Sequence, residues 1–327
     1  MTGERTFVTG ALGCIGAWVT RNLVRAEQPV TVFDLGRDRQ RLELILEPAE
    51  LERIDFVHGD VTDGAAVEAA LRASGATRVI HLAALQVPFC KADPALGARV
   101  NVIGTINLFE AAKALALPRI VYASSAAVYG SGEEYERDIL ENDAAFLPRN
   151  LYGVFKLANQ GTAQIYHQDY GIHSIGLRPF TVYGPGRDQG LTSTPTRAML
   201  AAAAGQAWHI SFGGRNGFQF ADDVAKIFIQ AAAAPDWQGA ASFNLGGSIA
   251  HMREVVAAIE QAAPEVTGRI TWEEAALPLP AGTSDRALAA AIGPLPCTPL
   301  AEGVAFTIAH FREALSTGRI TLDDRDG

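Results

Sequence analysis

Residues 6–25 read TFVTGALGCIGAWVTRNLVR, and this stretch decides the fold. The apolar run Thr6–Thr9 has strand character, and Ala17–Arg25 reads as a helix. Between them, glycines fall at Gly10, Gly13 and Gly16. Glycine there lets the backbone turn sharply, lets a phosphate come close, and lets the helix pack on the strand. The pyrophosphate of a dinucleotide would then rest on the free amides at the helix N-terminus. A glycine pattern alone is weak; strand before and helix after supply its context.

Working outward, PVTVFDLG reads as a strand ending in Asp34. A carboxylate at that tip suits the adenosine ribose hydroxyls and repels a 2′-phosphate, which favours NAD, while nearby Arg37 and Arg39 keep NADP open. A third strand, Ile54–Gly59, leads into Asp60, Val61 and a helix over Asp63–Arg72. A fourth, Arg78–Leu82, holds His81 as a core histidine and ends in Ala83–Ala84. A long helical stretch, Pro94–Leu115, carries Asn101, and a fifth strand, Arg119–Ala123, runs into SSAAVYG. A sixth strand spans Ile172–Leu177. This alternation predicts an α/β protein with a doubly wound parallel sheet of the Rossmann type, its ligands at the carboxyl ends of the strands.

Beyond Leu177 the alternation weakens. The sequence predicts an Ala-rich helix (Thr196–Gly205), a glycine turn in GGRNG, and a helix from about Asp222 to Ala234. A strand SFNLGG, a helix Met252–Ala262, a strand RITWEE and a closing helix Leu300–Leu315 follow, and the polar tail STGRITLDDRDG is expected to fray. The division expected is a dinucleotide-binding domain over 1–177 and a smaller α/β substrate domain over 178–327, partly woven back into the sheet.

The whole chain has 327 residues, of which 48% are hydrophobic and 19% charged, the balance of a folded globular protein. A net charge of −9 with no basic block argues against nucleic acid or an anionic membrane as partner. Cys14, Cys90 and Cys297 are odd in number and widely spaced, and the N-terminus lacks the apolar core of a signal peptide, so a cytoplasmic location is expected. Apolar runs such as Ala198–Ala204 are too short to span a bilayer. The scattered histidines form no HxxxH and the cysteines no CxxC, so no metal site is expected.

The chemistry is read from Leu151–Gln160, LYGVFKLANQ, a helix that puts Tyr152 and Lys156 on one face. An ammonium beside a phenol is expected to lower the tyrosine pKa and make Tyr152 a general acid/base for a substrate hydroxyl. Ser125, at a strand's carboxyl end, is placed to hydrogen-bond the same oxygen.

Glycine loop, Ser125 turn and Tyr152/Lys156 helix, in this order, make the chain resemble the extended short-chain dehydrogenase/reductase superfamily. More narrowly, it resembles the NAD-dependent epimerase/dehydratase family. Matching pieces run to about Phe311: TGALGCIG, VFD, HGDVTD, VIHLAA, NVIGT, VYASSAAVYG, YGVFK, LRPFTVYGPG, FADDVA and FNLGG. The resemblance implies a catalytic set of Ser125, Tyr152 and Lys156. It implies NAD contacts from Gly10, Gly13, Cys14, Ile15 and Gly16, from Asp34, Asp60 and Val61, and from Leu82, Ala83, Ala84 and Asn101. Ser125, Tyr152, Lys156, which would hold the nicotinamide ribose, and Phe180 complete that implied set. It also implies a homodimer through the helices carrying Asn101 and Tyr152.

Within the family, the 4,6-dehydratases carry Asp-Glu after the serine and the decarboxylases a Glu, where this chain has Ala126 and Ala127. Simple hydride transfer remains. Nucleotide-sugar epimerases direct further residues at a diphosphate; here those places hold Thr181, Asn216 and the arginine-free LPLPAGTSD, with Arg215 and Arg286 off register. Thr181 also occurs in the uronate-epimerase branch, a resemblance that implies an anion-binding role for Arg187. The segment APEVTGRITWEE is similar to the threonine-dehydrogenase branch. Three functions follow: a dehydrogenase of a small sugar-like or hydroxy-acid substrate touching Gln86, Ser125, Thr181, Arg187 and Thr192–Thr194; a UDP-sugar or UDP-uronate C4 epimerase with tightly bound NAD; and a non-catalytic NAD sensor.

Overall fold

Seven short strands pair edge to edge, all in parallel, in the computed structural model, which describes residues 4–321. Across the sheet they run Ala240–Asn244, His173–Arg178, Arg119–Ala123, Arg78–His81, Thr6–Thr9, Val30–Asp34 and Ile54–His58. Successive side chains point to opposite faces, and both faces are covered, so the strands read as continuous apolar runs. Val8, Ile80, Val121 and Ile175 meet Trp18, Leu23, Val224 and Phe228 on one side. Phe7, Val79, Ile120 and Tyr122 meet Val67, Leu71, Leu108 and Phe109 on the other. The chain reverses direction across the sheet between Thr6–Thr9 and Arg78–His81, and the crevice above that reversal is where ligands of such sheets bind.

The expected elements of the first half are present, with small shifts. The first helix begins at Cys14, ahead of Ala17, because Gly13 already caps it in an extended conformation. The long stretch from Pro94 is helical but contains a wider turn over Arg99–Ile103 before it continues as Gly104–Ala114. The Tyr152 helix runs on to Tyr170, where Gly171 ends it with a left-handed φ of 68°.

The second half departs further. The expected glycine turn GGRNG is a turn only as far as Gly214 (φ 71°); Arg215–Phe220 is a strand. It pairs antiparallel with Ser248–His251 and parallel with Thr181–Tyr183, two strands too short for their pattern to show in sequence. Ala240–Asn244 returns to the main sheet beside His173–Arg178, and helix Ala221–Ala233 packs on Cys14–Arg25. The helix Leu300–Ser316 closes the chain; residues 322–327 of the polar tail lie outside the described residues. Among the described residues no helix is long and apolar enough to cross a membrane, and no cluster of metal-ligating side chains forms.

One contact sets the distance between the Tyr152 helix and the Ser125 turn. Asn150 caps the helix, its side chain accepting from the Gly153 amide at 2.9 Å. A Cβ on Gly153 would stand 2.1 Å from the Ala127 carbonyl oxygen, a contact that forces backbone to move. Gly153→Ala is expected to cost about 1–3 kcal/mol through this overpacking. Urea unfolding measures it, and an unchanged midpoint would show that the two backbones have room to separate.

Candidate active site

A cavity of about 520 Å³ opens at the carboxyl ends of the strands. The glycine loop contributes Gly10, Gly13, Cys14, Ile15 and Gly16, and the end of the fourth strand contributes Leu82, Ala84 and Gln86. Ser125, Tyr152, Lys156 and Phe180 line it, as do Thr181, Arg187 and Thr192. Asp34, Asp60, Val61, Ala83 and Asn101 stand outside its walls. Sequence reasoning missed Val87, Pro88, Arg149 and the Leu277–Pro278–Leu279 segment, which also line it. The last lies over a hundred residues from the Tyr152 helix, and only the folded chain brings it there.

The glycine loop has the shape a dinucleotide needs. Gly10 has φ 72°, and a Cβ on it would meet the Ala83 amide nitrogen at 2.4 Å. A Cβ on Gly16 would meet the Gly10 carbonyl at 2.1 Å. Gly10 therefore lets the loop approach the end of the fourth strand and Gly16 lets the helix pack on the loop, and no side chain caps the amides of the helix N-terminus. Those free donors and the helix dipole fit a pyrophosphate. Asp34 is held at its strand tip, accepting from the Leu12 amide at 3.1 Å and the Gly36 amide at 2.9 Å. Asp60 accepts from the Thr62 amide at 2.8 Å, and Val61 is buried. Arg39 lies over the Phe56 ring at 3.6 Å.

Asn101, which the resemblance places among the cofactor contacts, stands behind the cavity wall. It is fully buried, accepts from the Leu85 amide at 2.7 Å and donates to the Leu85 carbonyl at 2.9 Å. Both ends of its amide are thus spent on shaping the loop after Ala84. His81 is the core histidine expected, bonded to Thr9 at 2.7 Å and Thr105 at 3.1 Å, with burial holding its pKa down at about 3. Burial pushes the Cys14 thiol up to about 12, so it supplies no thiolate to the loop.

Ser125, Tyr152 and Lys156 converge in the cavity. Ser125 Oγ accepts from the Ala127 amide at 3.1 Å, and its hydroxyl stands close enough to Tyr152 to lower the phenol pKa. Lys156 is buried, donates to the Ala123 carbonyl at 2.7 Å, and lies 5.6 Å from the Tyr152 ring centroid. The shift of Tyr152 differs from the expectation. Burial raises the phenol pKa; the Ser125 hydrogen bond, then the Arg187 charge, bring it partly back. Lys156 is itself lowered by burial to about 8.

Arg187 lines the cavity and donates to the Thr192 hydroxyl at 2.8 Å. Thr181 is buried and spends its hydroxyl proton on Asn216 Oδ1 at 2.7 Å, while Thr194 bonds Ser211 at 3.3 Å. Arg149 is held by Glu134 at 2.9 Å.

This assembly of loop, serine turn and Tyr/Lys helix agrees with what comparison shows. The model of the NAD dependent epimerase/dehydratase family matches residues 6–246. The chain belongs to that family. Its cofactor is accordingly NAD. A UDP-glucuronate 4-epimerase of Arabidopsis thaliana is 34% identical over 235 residues, which cover 68% of this chain and 54% of that protein. The chain thus spans about half the length of the first curated relatives it matches. The UDP-glucose 4-epimerase of Thermus thermophilus, solved with NAD, superposes with a TM-score of 0.79 at 26% identity, covering 95% of this chain and 100% of that one. A partial-consensus L-threonine 3-dehydrogenase reaches a TM-score of 0.83 at 21% identity, covering 95% of this chain and 100% of that one, a likeness of fold alone.

The electrostatics generate a pH prediction. If Tyr152 takes the proton in alcohol oxidation, it must be ionised, and burial raises its pKa, so kcat/KM for oxidation should climb into the alkaline range. Arg187 lowers that pKa, so Arg187→Ala should shift the climb to higher pH. Tyr152→Phe should bind NAD and lose most turnover at every pH. A Tyr152→Phe variant with the wild-type pH profile would show that another group moves the proton.

Proposed function

We propose that the chain transfers hydride between NAD and a secondary alcohol of a small, carboxylate-bearing substrate, either sugar-like or a hydroxy acid. The observation that supports this reading is the contrast between Arg187 and the other candidate arginines, of which Arg149 also lines the cavity. Arg149, Arg215 and Arg286 are each tied to an acid, Glu134, Asp138 and Glu141 respectively. Arg187 lines the cavity with a threonine hydroxyl as its hydrogen-bond partner and an Nε that bonds nothing among the described residues. An anion presented there gains a charge-assisted bond without breaking an ion pair. Leu277–Pro278–Leu279 and Val87–Pro88 add apolar wall and no positive charge for a diphosphate.

The roles follow from the geometry. NAD, when bound, supplies the hydride acceptor. Ser125 donates to the reacting oxygen and steadies its negative charge. Tyr152 removes the hydroxyl proton, and Lys156, held by the Ala123 carbonyl, adds positive charge beside it. Arg187 orients the substrate through its carboxylate.

A second reading, a UDP-uronate C4 epimerase, is favoured by the similarity to the UDP-glucuronate 4-epimerase. It also uses a carboxylate, but needs a diphosphate anchor that Arg215 and Arg286, bonded elsewhere, do not supply. In this proposal residues 1–177 hold NAD and residues 178–327 mainly hold substrate. Exposed Phe89, Ile103, Leu151, Val154 and Ile165, on the helices around Asn101 and Tyr152, support a homodimer through that face.

The test is a screen of free sugar acids and hydroxy acids with NAD, followed by NADH absorbance, then Arg187→Ala on the best substrate. Losing a charged hydrogen bond of about 1.5–3 kcal/mol should raise KM roughly 10- to 100-fold. An unchanged KM would remove Arg187 from substrate recognition.

A further inference from the structure

The loop that carries Arg187 is tied to the loop that cradles the dinucleotide. We propose that Arg41 and Asp188 form a latch that makes the two sites strengthen one another. Neither residue lines the active-site cavity, and neither had a signal in the sequence. The Leu12 peptide in the glycine loop is held from both sides. Its N–H donates to Asp34 Oδ2 at 3.1 Å, and its carbonyl accepts from Arg41 Nη1 at 2.9 Å.

The same guanidinium grips Asp188 with two donors along one edge, Nε at 2.8 Å and Nη2 at 2.7 Å. Asp188 follows Arg187 directly, and its carbonyl accepts from Arg197 Nε at 2.9 Å. A second tie lies nearby, from the Trp18 indole on the first helix to the Pro185 carbonyl at 2.9 Å. A bidentate arginine–carboxylate pair fixes direction as well as distance. With side-chain exposures of 23% and 35%, the pair is shielded enough to exceed an ordinary surface ion pair.

Asp34, Leu12, Arg41, Asp188 and Arg187 therefore form one connected chain. It runs from the carboxylate that selects the cofactor to the cation that faces the substrate. A dinucleotide that settles the glycine loop settles Arg41, and through Asp188 fixes the loop on which Arg187 stands. Coupling of this kind is reciprocal: whatever holds the substrate loop must also favour NAD. The substrate half rests on reading Arg187 as the anion ligand; the NAD half does not. Arg41 and Asp188 are positioning residues and touch no reacting atom.

The experiment titrates NAD alone, by calorimetry, into the full chain and into Asp188→Asn, Arg41→Gln and the double variant. Asp188→Asn lies on the substrate loop, yet it should weaken NAD binding about fivefold or more. The double variant should bind no worse than the weaker single, since both remove one link. Wild-type NAD affinity in Asp188→Asn, or losses that multiply in the double variant, would overturn the latch. If Arg41→Gln does not fold, Asp188→Asn alone decides. Should Arg187→Ala leave the KM of acidic substrates unchanged, the substrate assignment fails while the NAD titration still judges the latch.

Discussion

Everything at this site depends on how closely two strand ends approach. At the reversal of the sheet, Gly10 sits so near the Ala83 peptide that an added Cβ would stand 2.4 Å from its nitrogen. That contact puts the helix N-terminus of Cys14–Arg25 beside the end of the fourth strand. The crevice so made is where the cofactor loop, the serine turn and the Tyr152 helix can share one cavity.

A directed chain of hydrogen bonds secures the same point from below. The Ala83 amide donates to Thr9 Oγ1 at 3.4 Å, and Thr9 meets His81 Nδ1 at 2.7 Å. His81 Nε2 meets Thr105, whose hydroxyl donates to the Asn101 carbonyl at 2.8 Å. Thr105 has one proton, already given to Asn101, so it accepts from Nε2–H and leaves Nδ1 to accept from Thr9. Burial keeps the ring neutral, its pKa at about 3, so this tautomer persists through the physiological range. The Asn159 amide reaches the Asn101 carbonyl as well, at 2.9 Å, which joins the catalytic helix to the chain.

The sheet was legible because its strands are buried on both faces and separated by amphipathic helices, a pattern that local residues carry. The glycine loop was legible for the same reason: Gly10, Gly13 and Gly16 announce backbone contacts. The place of Asn101 in NVIGT does not reveal that its amide also holds the Leu85 peptide from both sides, a contact that only the folded chain makes. The Tyr152 pKa was misread in sign, since spacing gives the position of Lys156 beside it but not the burial that raises the phenol pKa and lowers the lysine's. The strand Arg215–Phe220 was hidden by its glycines, because its pairing with Thr181–Tyr183 and Ser248–His251 is entirely long-range. Arg41 and the Leu277–Leu279 segment belong to the same class. Their roles arise from tertiary contacts across 147 residues in one case and from closure over the cavity in the other.

The central claim is that this cavity oxidises a free acidic alcohol and lets the product leave. The most direct measurement follows deuterium placed on the carbinol carbon of sugar acids, hydroxy acids and UDP-glucuronate. Deuterium appearing in NADH released to solution, from a free acid, is the result predicted. Deuterium returned to the inverted C4 of UDP-glucuronate, with no labelled NADH in solution, would contradict the claim and establish the epimerase.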